Sequence, residues 1–166
     1  MRLQEFRDQL DKMKESEVKT LGRLINFYDD IIILGNGGSS AIASHLSQDY
    51  TKQLGKRART FSDLSRLTCY INDYGMKNAY MQYAKEFATS DTLVILISSG
   101  GESLNIREAA KYCAHAPIPY IILTGFKEDN SLRGSYAPLA LLDYWVDSED
   151  YGIVECLHQV FLHTVV

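Results

Sequence analysis

The chain is 166 residues long, 46% hydrophobic and 23% charged, with a formal net charge of -4. That length suits one domain over 1–166, close to the usual size of about 100–200 residues, and the ordinary apolar content excludes disorder as the main state. The apolar runs at 31–34 and 93–97 fall far short of the roughly 20 residues a membrane-spanning helix needs, and the mild acidity argues against a nucleic-acid partner.

In chain order, Leu3, Phe6, Leu10 and Met13, then Leu21, Leu24 and Ile25, recur at spacings of three and four. They predict a helix over 1–28 whose apolar stripe packs on the rest of the domain or on another subunit. The first residues carry mixed charge and no apolar signal core, so no secretory signal is expected. Asp30 to Leu34 is a short β-branched run, which suits a strand buried on both faces. The sequence GNGGSS breaks it, and a helix is expected over 39–50. A short strand is expected over 58–61, and a helix over 63–71 capped by Ser62 or Asp63. Asn72-Asp73-Tyr74-Gly75 has turn chemistry. Tyr80, Tyr83, Ala84 and Phe87 form another helical stripe.

The clearest strand is 91–97, followed by SSGGES and a helix over 104–113. A strand over 120–124 ends at Gly125. A polar loop over 126–136, a strand over 139–145 and a last helix over 150–166 complete the reading. Tyr151, Leu157, Val160 and Phe161 are expected in the core. Buried strands alternating with helices define an α/β fold, with a parallel sheet covered on both faces. Lys52, Lys56, Arg57 and Arg59 read mainly as a solvated loop. Cys69, Cys113 and Cys156 form no CxxC pair and read as reduced thiols of a cytoplasmic protein.

Two loops share one design: a buried strand, a Gly/Ser-rich turn, then a helix. Helix N-termini offer free N–H groups and partial positive charge, so such a loop suits phosphate. Asn36, Gly37, Gly38 and Ser39 supply one loop; Ser98, Ser99, Gly100 and Ser103 supply the other. GNGGSS lacks the GxGxxG spacing of a dinucleotide fingerprint, and no Gly-Lys-Ser/Thr follows as in a Walker loop.

His45 and Asp49 lie four apart on one expected helix, about 40° apart around its axis. Glu155 and His163 lie eight apart on another, about 80° apart, and line one side of a cleft. Two histidines and two carboxylates suit either a divalent metal or proton transfer. His158 either competes as the functional histidine or packs beside it. His115 reads as a loop residue.

Together GNGGSSAIASH, LTCYINDYG, SSGGESLN and IVECLHQVFLH resemble the sugar isomerase (SIS) domain, and within it the phosphoheptose isomerase family. The resemblance implies a three-layer αβα sandwich with a five-stranded parallel sheet, flavodoxin-like or Rossmann-like in architecture, assembled as a homotetramer. It implies conversion of sedoheptulose 7-phosphate to D-glycero-D-manno-heptose 7-phosphate, toward bacterial lipopolysaccharide or capsule. By motif, Asn36, Gly37, Gly38 and Ser39 would contact substrate, together with Asn72, Asp73 and Glu155. Ser98, Ser99, Gly100 and Ser103 would form the phosphate loop. His45, Asp49, Glu155 and His163 fall at positions that bind zinc, and Asp49 and His163 at the base and acid of enediol chemistry. The family usually has Glu at Asp49, Gln at Glu155 and often Ser at Gly100. The rival readings are a non-catalytic phosphosugar- or protein-binding module of the same domain type, and an isomerase of a different sugar phosphate.

Overall fold

The computed structural model describes residues 2–166. Met1, at the start of the helix expected over 1–28, lies outside them. The helical lead is two elements, α1 (Leu3–Asp11) and α2 (Glu15–Phe27). The 3/6/10/13 and 21/24/25 stripes lie within about 35° of each other on one continuous helix, so their phase alone does not call for a break. The chain nevertheless breaks at extended Lys14, whose N–H donates to the Glu17 carboxylate at 3.4 Å as α2 begins.

Five parallel strands follow: β1 (Asp30–Gly35), β2 (Arg57–Thr60), β3 (Thr92–Ser98), β4 (Tyr120–Thr124) and β5 (Leu142–Trp145). Their order is β2-β1-β3-β4-β5. Between them run α3 (Gly37–Leu54), α4 (Leu64–Tyr74), α5 (Met76–Phe87), α6 (Leu104–His115) and α7 (Ser131–Tyr136); α8 (Tyr151–His163) follows β5. The sheet is the middle of three layers. Ile31, Ile33, Ile95 and Leu123 face α2, α3 and α8, packing on Leu21, Leu46, Leu157 and Phe161. Ile32, Leu34, Val94 and Ile122 face α5 and α6, packing on Tyr83, Ile106 and Ala109. Alternate residues of each strand thus serve opposite layers, as the strand period requires. Removing one such side chain, as in Ile33→Ala, would cost roughly 2–5 kcal/mol.

The structure departs from the sequence reading at several points. Asn72, Asp73 and Tyr74 are the last turn of α4, and the reversal falls at Gly75 with φ 76°. The expected loop over 126–136 contains α7, whose N-cap Asn130 accepts the Arg133 N–H at 3.0 Å. The last strand starts at Leu142, because residues 137–139 form a 3-10 turn. Tyr151 and Val160 of α8 are exposed rather than in the core. Lys56 and Arg59 are not solvated loop residues. Lys56 is buried against Asp29 at 2.9 Å and the Asn26 carbonyl, and Arg59 grips Asp30 with two hydrogen bonds. His115 ends α6, with its Nδ1 donating to the Lys111 carbonyl at 2.7 Å.

Candidate active site

In this strand order the chain turns in opposite directions after β1 and after β3. Ligands of open α/β sheets bind at that switch point, beyond the carboxyl ends of the strands. Both Gly/Ser loops are there. The β1 loop leads through Gly37, with φ 53°, into α3. The β3 loop leads through Gly101, with φ 69°, into α6. A side chain at Gly101 would also collide with Asn130, so only glycine suits this turn.

Between the loops lies a cavity of about 280 Å³. Asn36, Gly37, Gly38 and Ser39 form one wall, and Ser98, Ser99, Gly100 and Ser103 the other. The Ser99 hydroxyl is buried and has no hydrogen-bond partner. A buried unsatisfied hydroxyl costs about 1–3 kcal/mol, so its placement here fits an acceptor in the cavity. The Ser98 hydroxyl donates to Ser103 at 3.3 Å. Among the described residues no lysine or arginine lines this space. Its positive character comes from the N-termini of α3 and α6.

Three residues that the sequence reading did not place here complete the cavity. Glu102 lines it and accepts the Ser131 N–H at 2.8 Å, and the Ser131 hydroxyl together with that N–H holds its carboxyl below the usual range. Tyr151 stands at the mouth, 60% exposed, with its ring edge-on to Phe126. Asn105 lies beneath, buried and paired with Asn36. Asn105 had a readable signal: it shares the buried face of α6 with Ala109 and Cys113 at i+4 and i+8, a polar residue at a core position.

Glu155 closes the cavity from α8, and its carboxylate fills the space a side chain at Gly38 would need. Burial raises its pKa above the ordinary carboxylate value. Asn72 and Asp73 are exposed on α4, hydrogen-bonded to each other at 2.9 Å, and do not line the cavity.

Further along the same pair of helices, His45 and Asp49 of α3 meet His163 of α8. Both imidazole Nε2 atoms lie 3.3 Å from Asp49 Oδ2, and the rings are 5.1 Å apart. His163 Nδ1 donates to the Gln159 carbonyl at 2.9 Å. With that nitrogen carrying a hydrogen, a neutral ring turns its Nε2 lone pair toward a carboxylate oxygen. Such a contact calls for a proton or a cation between the two atoms. Second-partner bonds of this kind orient metal-binding histidines. The three side chains form a group able to hold a metal ion. Glu155 is not part of this group. It lies two turns earlier on α8, where the helix faces the start of α3. His158, between them, is fully buried; its Nε2 donates to the Thr124 carbonyl at 3.0 Å, and burial pushes its pKa down to about 4. It packs rather than competing for the site.

No family model matches the chain. The fold matches the structure of a phosphoheptose isomerase from Neisseria gonorrhoeae with a TM-score of 0.87, at 22% identity, over 96% of this chain and 89% of that one. The phosphoheptose isomerase of Fusobacterium nucleatum is 26% identical over 99% of this chain and 86% of its own length. That of Aliarcobacter butzleri is 28% identical over 98% of this chain and 85% of its own length. The parallel αβα fold, with a Gly/Ser cradle at its switch point, is the fold of that solved structure. In sequence the chain is similar over nearly its whole length to these phosphoheptose isomerases.

Proposed function

We propose that the chain is an aldose–ketose isomerase that converts sedoheptulose 7-phosphate to D-glycero-D-manno-heptose 7-phosphate, in the supply of bacterial heptose for lipopolysaccharide or capsule. One observation carries this reading: a single pair of packed helices, α3 and α8, carries both kinds of group the reaction needs. The two helices run in the same direction, since Gly38 faces Glu155 while Asp49 faces His163, and the Tyr50 hydroxyl reaches the Leu162 carbonyl at 2.8 Å. The anion cradle lies at their first turns. The His/Asp/His group lies seven to eleven residues beyond Gly38 on α3 and eight beyond Glu155 on α8, about 10–17 Å along the axes. An open-chain sugar phosphate held at one end therefore presents its other end to the titratable groups. A phosphosugar-binding module would need only the cradle.

The reaction moves one proton from C1 to C2 and another from O1 to O2. Asp49 takes the C1 proton of the open-chain ketose and the enediol forms. Return of a proton to C2 gives the aldose, while the hydroxyl proton passes from O1 to O2, by way of His163 Nε2 when no ion holds that atom. Oδ2 is the Asp49 oxygen nearest both imidazoles, and Oδ1 is assigned the carbon-bound proton. We assign zinc as the ion of the His45–Asp49–His163 group, since three N and O ligands with a further position open suit catalytic zinc. When bound, it would polarise the sugar oxygens. Glu155, at the cradle end, accepts sugar hydroxyls.

The free thiols Cys69, Cys113 and Cys156 support a cytoplasmic site of action, and no helix among the described residues is long and apolar enough to cross a membrane. A homotetramer is supported by α1, where Leu3 and Leu10 are exposed on an amphipathic helix while Phe6 packs on the core and lines a depression with α8 residues. Purified protein assayed on pentulose, hexulose and heptulose phosphates, with metal content and light scattering measured on the same sample, tests the whole reading. Turnover of the heptulose phosphate, lost on chelation and restored by zinc, in an oligomer is expected. A metal-free monomer inert toward every sugar phosphate would refute it.

A further inference from the structure

Five helices start behind a side chain able to cap them. Asp63, Asn130 and Asp150 each accept an N–H of their own helix. Asn36 and Ser103, at the starts of α3 and α6, do not. These two helices are the ones that open onto the cradle. Capping would consume N–H groups that a phosphate needs.

The Asn36 side chain is held elsewhere. Its Nδ2 donates to Asn105 Oδ1 at 2.9 Å, and its Oδ1 accepts from Asn105 Nδ2 at 2.8 Å. Asn105 Oδ1 also accepts the Ile106 N–H at 3.0 Å, which anchors the pair to the first turn of α6. Asn105 is buried, only 4% exposed, beneath the cavity it does not line. The closed amide pair thus joins the two loops and withholds the natural cap of α3.

We propose that Asn105 is a positioning residue for the anion site: by binding the Asn36 amide it keeps the N–H groups of Gly38 and Ser39 free for the substrate phosphate. The proposal rests on the cradle reading given above. Without Asn105, the Asn36 oxygen turns back onto the α3 N-terminus, as an N-cap asparagine ordinarily does. The helix then keeps its stability and the phosphate loses its donors.

Inorganic phosphate is the probe, titrated calorimetrically into the purified protein, beside steady-state kinetics on the sugar phosphate. Asn105→Ala is expected to weaken phosphate about fivefold, the worth of roughly one cap hydrogen bond. KM should rise by the same factor with kcat nearly unchanged. Adding Asn36→Ala to that variant removes the freed cap and should recover most of the lost affinity. A merely structural role would leave the double variant no better than the single. Asn105→Ser, which keeps a local acceptor for the Ile106 N–H, should follow the same order and serves if the alanine variant does not fold. Equal phosphate affinity in wild type and Asn105 variants overturns the proposal while leaving the cradle standing, as does a double variant no tighter than the single. Failure of the wild type to bind phosphate overturns both.

Discussion

Ser99 shows how much one hydroxyl can decide. It is buried and unpartnered in a residue that lines the cavity, so its desolvation is already spent before substrate arrives. A hydrogen bond to a charged acceptor contributes about 1.5–3 kcal/mol. Ser99→Ala should therefore raise KM for the sugar phosphate by roughly tenfold or more, with kcat little changed, while the melting temperature holds or rises because a buried orphan is gone. Steady-state kinetics beside a thermal melt would check this, and an unchanged KM would contradict it. Residues of this kind were legible, because a Gly/Ser turn between a buried strand and a helix has few other uses. Glu155 was less so. Its spacing from His163 fits one helix face, but the position of α3 against α8 decides which of the two meets Asp49, and spacing along one helix carries no information about its neighbour. Asn72 and Asp73 read as a turn although α4 runs through them, since helix packing on Phe61 and Tyr83 by way of Tyr70 overrides their local preference.

At the scale of elements, α8 matters most, because it carries Glu155 and His163 and is pinned to the sheet by His158. That imidazole is buried and neutral, with its pKa lowered from 6.5 to about 4. The unfolded chain binds a proton below about pH 6.5 that the folded chain refuses until about pH 4. Stability therefore falls as pH falls through that window, by about 3 kcal/mol in all. Melting curves between pH 7 and pH 4 should show this loss, roughly 10 °C for a chain of this size. His158→Gln, which retains a donor for the Thr124 carbonyl, should flatten it. A variant with the same pH slope as wild type would show that other groups cause it. Four strands were legible to within a residue or two, since each is an apolar run too short for a helix, and the last was read as starting three residues early. The split between α1 and α2 was not, because it answers the shape of the core beneath. The short α7 was hidden by polar composition; its cap residue Asn130 is the one local sign of it.

For the whole molecule, strand order places the site. The alternation of strands and helices foretold a parallel sheet, yet not that β1 lies between β2 and β3. That placement brings two loops more than 60 residues apart in sequence to one cavity, and α3 lies beside α8 so that the cradle and the His/Asp/His group lie along one helix pair. The central claim is that both ends of this helix pair serve one substrate. Its most direct test follows sedoheptulose 7-phosphate by NMR with zinc-loaded wild type, Asp49→Asn and His163→Ala, each first shown to bind inorganic phosphate. The account predicts the aldose heptose 7-phosphate from wild type alone, with phosphate affinity alike in all three. Full turnover by both variants, or none by the wild type, would contradict it.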